Sequence, residues 1–209
     1  MEKELEEYIN TLTKSGASCV KVIKPLDNIA LLEELSNLPN VTLPDEFRMY
    51  LTRIDGVDQS ICLELDIMDP DFAWGMEPIP VKKIISEYKT SVGMFKQSGT
   101  PEYWPEGFVP FLWNNGDFMI VNCMKDSPTF RAVYCFREGV GVNRVTNNLR
   151  EFMKGCNTIM NEGLRIYEEP DFSVIADEET YFEECAKIFG NTPYYNRRGK
   201  FDTQIIDWK

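Results

Sequence analysis

A chain of 209 residues, 43% hydrophobic and 27% charged, has the composition of a globular domain able to bury roughly 70% of its unfolded surface. Its 34 acidic residues outnumber 22 basic ones, the net charge is -12, and histidine is absent. The missing histidine excludes Ser-His-Asp and Cys-His catalysis and histidine-ligated zinc, leaving carboxylates, Lys, Tyr or Cys for any enzymatic reading.

Leu5, Tyr8, Ile9 and Leu12 recur at helical spacing and predict a first amphipathic helix ended by Ser15 and Gly16. Ile29, Leu32 and Leu35 repeat the pattern over 27–36, before Pro39 and Asn40 break the chain. The stretch from Leu43 to Gly56 starts, spaces and stops a short helix. Pro44 suits its first position, Phe47, Tyr50, Leu51 and Ile54 share one stripe, and Gly56 is placed to close it in the left-handed conformation. Residues 61–67 alternate apolar with mixed side chains and read as a strand. After an acidic, proline-containing loop, Val81 to Lys96 reads as another helix, carrying Ile84, Ile85, Tyr88, Val92 and Phe95.

Two apolar runs from Phe108 to Cys123 flank Asn114-Asn115-Gly116-Asp117, and Asn-Gly supplies the positive φ angles of a tight hairpin turn. Pro110 lacks a ladder donor, so its strand should lie at an edge or be bulged there. Phe130, Ala132, Tyr134 and Phe136 alternate with Arg131, Val133, Cys135 and Arg137, which predicts a strand of a sheet with one buried face, and Val140 to Val145 returns as its neighbour. Asn148 stands as an N-cap with Glu151 three residues on, opening a helix that buries Leu149, Phe152, Met153, Cys156 and Met160. Helices at both ends of a run of hairpin-connected strands argue an α+β domain built on an antiparallel sheet.

The acidity is segmental. Seven acids and no base lie between Ile54 and Val81, and eight acids and no base between Ile166 and Ala186; setting these fifteen aside turns -12 into +3. Such surfaces repel phosphates and disfavour direct nucleic-acid binding, and they serve either as a solvated face or as a dock for a basic partner. The six scattered cysteines form no C-x-x-C pair and read as buried thiols more readily than as disulfides. The acidic N-terminus lacks a secretory pattern and no stretch is apolar enough to span a membrane, so a cytoplasmic location is expected.

The order of motifs resembles the SMI1/KNR4 (SUKH) family, over about residues 27–162. The matching residues are Leu43, Pro44, Phe47, Leu51, Asp55 and Gly56; then Pro110 and Phe111, Asn115 and Gly116, Val133 and Tyr134; and last Glu151, Phe152 and Met153. Asn122 departs from the pattern, standing where members often carry Asp in the strand after the hairpin. The chain is read as a family domain over 1–163 with an acidic helical extension over 164–209, outside the common core and packed on it, and the resemblance implies a binding role without catalysis. For bacterial members that role is chiefly neutralisation of a cognate toxin, often a nuclease; for fungal members it is regulation or scaffolding in cell-wall and glucan synthesis.

Glu64, Asp66, Asp69 and Asp71 are the densest carboxylates, and with Trp74 as an anchor they are the expected contact with a basic toxin domain. A carboxylate-dependent hydrolase is the enzymatic alternative for the same acids, needing two of them across a cleft. They lack the order of an EF-hand loop, and neither a glycine-rich phosphate cradle nor a metal-ligand spacing occurs, so no cofactor or metal is expected. The cluster Tyr194, Tyr195, Asn196, Arg197 and Arg198 reads as docking on the acidic block from Glu168 to Glu184.

Overall fold

The computed structural model describes residues 1–68, 70–169, 172–190, 192–197 and 204–209. The first helical stripe is α1 (Glu2–Lys14), which buries Leu5, Tyr8 and Leu12. α2 (Ala30–Ser36) and α3 (Asp45–Arg53) follow. Pro44 precedes α3 instead of opening it, and its carbonyl accepts from the N–H groups of Phe47 and Arg48 at 2.9 Å. Phe47, Tyr50 and Leu51 face the core as the spacing requires, and Ile54, in extended backbone, is buried with them.

Gly56 takes positive φ (+74°) but does not close α3. It lies against Pro80, where a Cβ would come within 2.4 Å of the ring. Beside it, Asp55 Oδ1 accepts from the Val81 N–H at 2.6 Å and caps α5 (Val81–Gln97), a service that Pro80 at the N-cap position has no side-chain acceptor to perform. Asp55-Gly56 therefore joins the exit of α3 to the start of α5.

The predicted strand at 61–67 is instead a short helix, α4 (Gln59–Leu65). Asp58 caps it by accepting from the N–H groups of Ser60 (3.0 Å) and Ile61 (3.3 Å), and Asp66 closes it in the left-handed conformation at φ +56°. Two end caps outweigh an alternation whose middle members, Leu63 and Leu65, stay exposed.

The principal sheet runs β1 (Glu77–Pro78), β2 (Phe108–Asn114), β3 (Asp117–Asn122), β4 (Val133–Arg137) and β5 (Gly141–Thr146) in sequential antiparallel order. The β2–β3 turn has the predicted residues, with Asn115 and Gly116 both at positive φ. β1 covers the far end of β2, and Pro110 is accommodated by a bulge between it and Leu112.

The expectation of one buried face is corrected: both faces are covered. Val121, Val133 and Cys135 point into the main core with α1, α3, α5 and α6 (Leu149–Asn161). Ile120, Tyr134, Phe136 and Val142 point into a second cluster completed by Trp104 and Trp208. Ala132 to Phe136 form an unbroken apolar run, which is what a strand buried on both sides carries, and this was the available sign of the second layer.

Asn148 caps α6 as predicted, its Oδ1 accepting from the Glu151 N–H at 2.9 Å while its amide donates to Glu151 Oε1. Asn122 is fully buried, and its amide nitrogen donates to Ser127 Oγ, Thr129 O and Thr129 Oγ1. A carboxylate there would lack those donors, which is a physical reason for the departure from Asp.

The extension beyond α6 is only partly helical. β6 (Arg165–Glu169) and β7 (Phe172–Ile175) form a separate hairpin before α7 (Glu178–Phe189), which packs on α6. Tyr194 and Tyr195 dock through aromatic contacts with Trp74, and Tyr195 stacks on Phe189 at 5.5 Å. Arg137 donates to the Tyr194 hydroxyl at 3.0 Å. Ring burial thus carries this docking; the expected pairing with the Glu168 to Glu184 block falls on the side chain of Arg197 and on Arg198, which lie outside what the structure describes. The last residues form a strap in which Asp207 pairs with Arg144 at 2.7 Å and accepts from the Tyr134 hydroxyl at 2.6 Å, while Trp208 packs on Phe108 and Tyr134.

All six cysteines are buried. Burial pushes the thiols of Cys19 and Cys135 up to about 12 and that of Cys185 up to about 11, so they behave as small hydrophobes.

Candidate docking surface

The predicted carboxylate group divides in two. Glu64 and Asp66 are exposed on and just after α4, beside Leu63 (84% exposed), Leu65 (47%) and Met68 (79%). Asp69 lies outside the described residues. The three apolar side chains were missed because 61–67 was read as a strand. On a helix, Leu63 and Leu65 fall away from the side that buries Cys62, and apolar residues off the buried stripe were the available signal.

Asp71 is corrected from a docking residue to a buried hub. Its Oδ1 accepts from the Gly75 N–H at 2.9 Å, and its Oδ2 accepts from the Ser173 N–H at 2.9 Å and the Ser173 hydroxyl at 2.6 Å. Arg165 lies 3.8 Å from the same oxygen and donates to Ser173 O at 2.9 Å. Tyr167 donates from its hydroxyl to Asp71 O at 2.6 Å, and Tyr8 donates to the next carbonyl, Phe72 O. Burial raises the pKa of both Tyr8 and Tyr167, which keeps their hydroxyls as donors.

Trp74 is corrected in the same way. Held at φ +62°, it turns its ring onto Phe152, Phe189, Tyr194 and Tyr195 at centroid distances of 5.4 to 6.2 Å. It anchors the extension of its own chain, a role with no local sign because those four partners lie at least 78 residues away.

Between α4 and the β2–β3 turn lies a notch of about 320 Å³, lined in part by Gln59, Met68, Lys83, Trp113 and Asn115. Lys83 Nζ sits 3.8 Å from the Trp113 ring centre, and the indole N–H donates to Glu77. Asn114 donates to Gly75 O at 2.6 Å, tying the turn to the loop that carries Asp71.

Chemically this surface is suited to contact. Glu64 and Asp66 face solvent, whereas Asp71 has its oxygens committed to an arginine and three donors, so these acids do not share a cleft. Among the described residues no group of three or more Cys, Asp or Glu is placed to hold a metal ion, and no helix is long and apolar enough to cross a membrane.

The molecule is thus an α+β domain with a sequential antiparallel sheet, helices on its main-core face and an acidic, apolar patch beside the β2–β3 turn. Residues 27–155 match the model of the SMI1/KNR4 family (SUKH-1), and the chain belongs to that family. No curated protein matches the chain. The matched span ends inside α6, so α1, β6, β7, α7 and the terminal strap are added around it, and β6–β7 supplies Arg165 and Ser173 to Asp71.

Proposed function

We propose that this chain is a protein-binding module without catalytic activity of its own, and specifically an immunity protein that neutralises a cognate, basic toxin domain. Family membership supports the binding role. The observation that carries the finer reading is the α4 patch, where Leu63 and Met68 stand more than three-quarters exposed next to Glu64 and Asp66. Exposed apolar side chains among like charges suit a partner that buries the first and neutralises the second. An acidic surface meeting a basic domain is also steered, with association rates up to the order of 10⁸ to 10⁹ M⁻¹s⁻¹ at low salt.

The test begins with capture of partners from the native host at low and at high salt, followed by identification. The reading expects one dominant basic toxin-like protein whose activity the purified chain abolishes in stoichiometric amount. Glu64→Gln with Asp66→Asn should slow association with that partner and flatten its salt dependence, and Leu63→Ser with Met68→Ser should speed dissociation. Asn suits the left-handed position of Asp66, so the fold is kept. Capture of several signalling or biosynthetic proteins would favour a regulatory scaffold instead, and intrinsic hydrolysis lost on changing one carboxylate would overturn the non-catalytic reading.

A further inference from the structure

On the other side of the β2–β3 turn lies a second recess, of about 670 Å³, between α5 and the β4–β5 turn. Trp104 and Phe136 form its buried floor, packed at 5.3 Å, while Phe95 and Tyr103 stack at 6.1 Å and are only half-buried. Met94 stands 53% exposed at its lip. Two carboxylates, Glu87 and Glu138, line it, and among the described residues no Lys or Arg does.

The recess adjoins the α4 notch across the β2–β3 turn. Asn115 lines the notch and the next residue, Gly116, lines the recess, so the turn is the ridge between them. Lys83 and Glu87, one helical turn apart on α5, line one recess each.

We infer that this aromatic groove is the second half of the docking surface and takes a segment of the partner in which an apolar side chain is flanked by Lys or Arg. The inference rests on the docking reading above and deepens it. Charge selects the occupant, because an apolar segment flanked by acids would meet Glu87 and Glu138 as like charges. Ring chemistry agrees, since the faces of Phe95 and Tyr103 accept both alkyl groups and cations. The partner would straddle the β2–β3 turn, one element on α4 and another in the groove.

The test uses the full chain labelled with ¹⁵N and three probe peptides: acetyl-Lys-Leu-Lys-Phe-Lys-amide, its Glu counterpart and its Ser counterpart. The lysine peptide should produce saturable shifts at the amides of Met94, Thr100, Gly116 and Gly139, at least ~10-fold tighter than the glutamate peptide, a factor equivalent to about 1.4 kcal/mol. Glu87→Lys with Glu138→Lys should remove that preference, and the α4 variant Glu64→Gln with Asp66→Asn should leave it in place. Absence of saturable shifts up to ~1 mM, a concentration matching a binding energy of about -4 kcal/mol, would overturn the assignment, as would equal binding of all three peptides.

With an identified toxin the two readings separate. If α4 variants weaken the complex and the Glu87/Glu138 variant does not, the groove assignment falls and docking stands. If the groove takes the lysine peptide but the host yields no toxin partner, the immunity reading falls alone.

Discussion

Replacing Asp71 by Ala should be among the most damaging single changes outside the apolar core. The substitution leaves Arg165, whose side chain is only 12% exposed, without its counter-charge, and it removes the acceptor for the Gly75 and Ser173 N–H groups and the Ser173 hydroxyl. Breaking a buried ion pair from one side costs about 3–5 kcal/mol. Arg165 keeps its bond to Ser173 O, which places the expected loss near the lower end, about 3 kcal/mol. That is a large share of the ~5–15 kcal/mol typical of a folded domain. Asp71→Asn should fare little better, because its amide presents donors to a ring of donors. In urea unfolding followed by tryptophan fluorescence, an m-value of ~2 kcal/mol/M turns this loss into a midpoint shift of ~1.5 M. Adding Arg165→Met should recover part of it, since removing both partners leaves no unpaired buried charge, only the Gly75 and Ser173 donors without their acceptor, with a coupling energy of about 2 kcal/mol. A single variant that loses less than ~1 kcal/mol, or a double variant equal to the sum of the two singles, would refute the hub described for Asp71.

Gly56→Ala should destabilise by about 2–4 kcal/mol in the same assay, combining positive φ with a Cβ pressed onto Pro80. Gly16→Ala, also at positive φ but with nothing within 4 Å of the added methyl, should cost only about 1 kcal/mol, so the difference reads the Pro80 contact. Trp208→Ala should cost about 3–5 kcal/mol, and a loss comparable to an exposed substitution would show that the strap does not close the second core. Hydrogen bonds from the Ser60 hydroxyl and the Ile61 N–H hold the Asp58 carboxyl below its ordinary value of 3.8. A depressed folded pKa stabilises above the unfolded value and is lost as pH falls through the lower, folded one. The amide chemical shifts of Ser60 and Ile61 should therefore hold constant at pH 5 and move toward uncapped values only below about pH 4, which an NMR titration would check.

What the sequence revealed depended on how local the cause was. Asn115-Gly116 and Asn148 with Glu151 carry their geometry within four residues, and hairpin and cap both appear where the residues place them. α4 failed the same kind of reading because its caps, Asp58 and Asp66, flank a run whose alternation mimics a strand. The docking residues were half legible. Charge identified Glu64 and Asp66 as solvent-facing, but equal charge could not separate them from Asp71, whose burial is decided by Arg165 and Ser173 about 100 residues away. The aromatic groove was hidden because its walls come from α5, the turn before β2 and two hairpin tips, which only the tertiary fold brings together.

The seclusion of the thiols has a practical outcome. A maleimide or iodoacetamide should leave the native molecule untouched and modify it only once denaturant opens the interior. A single cysteine introduced at an exposed site such as Leu63 would then accept a fluorophore or spin label selectively, with no need to strip the natural sulfhydryls first.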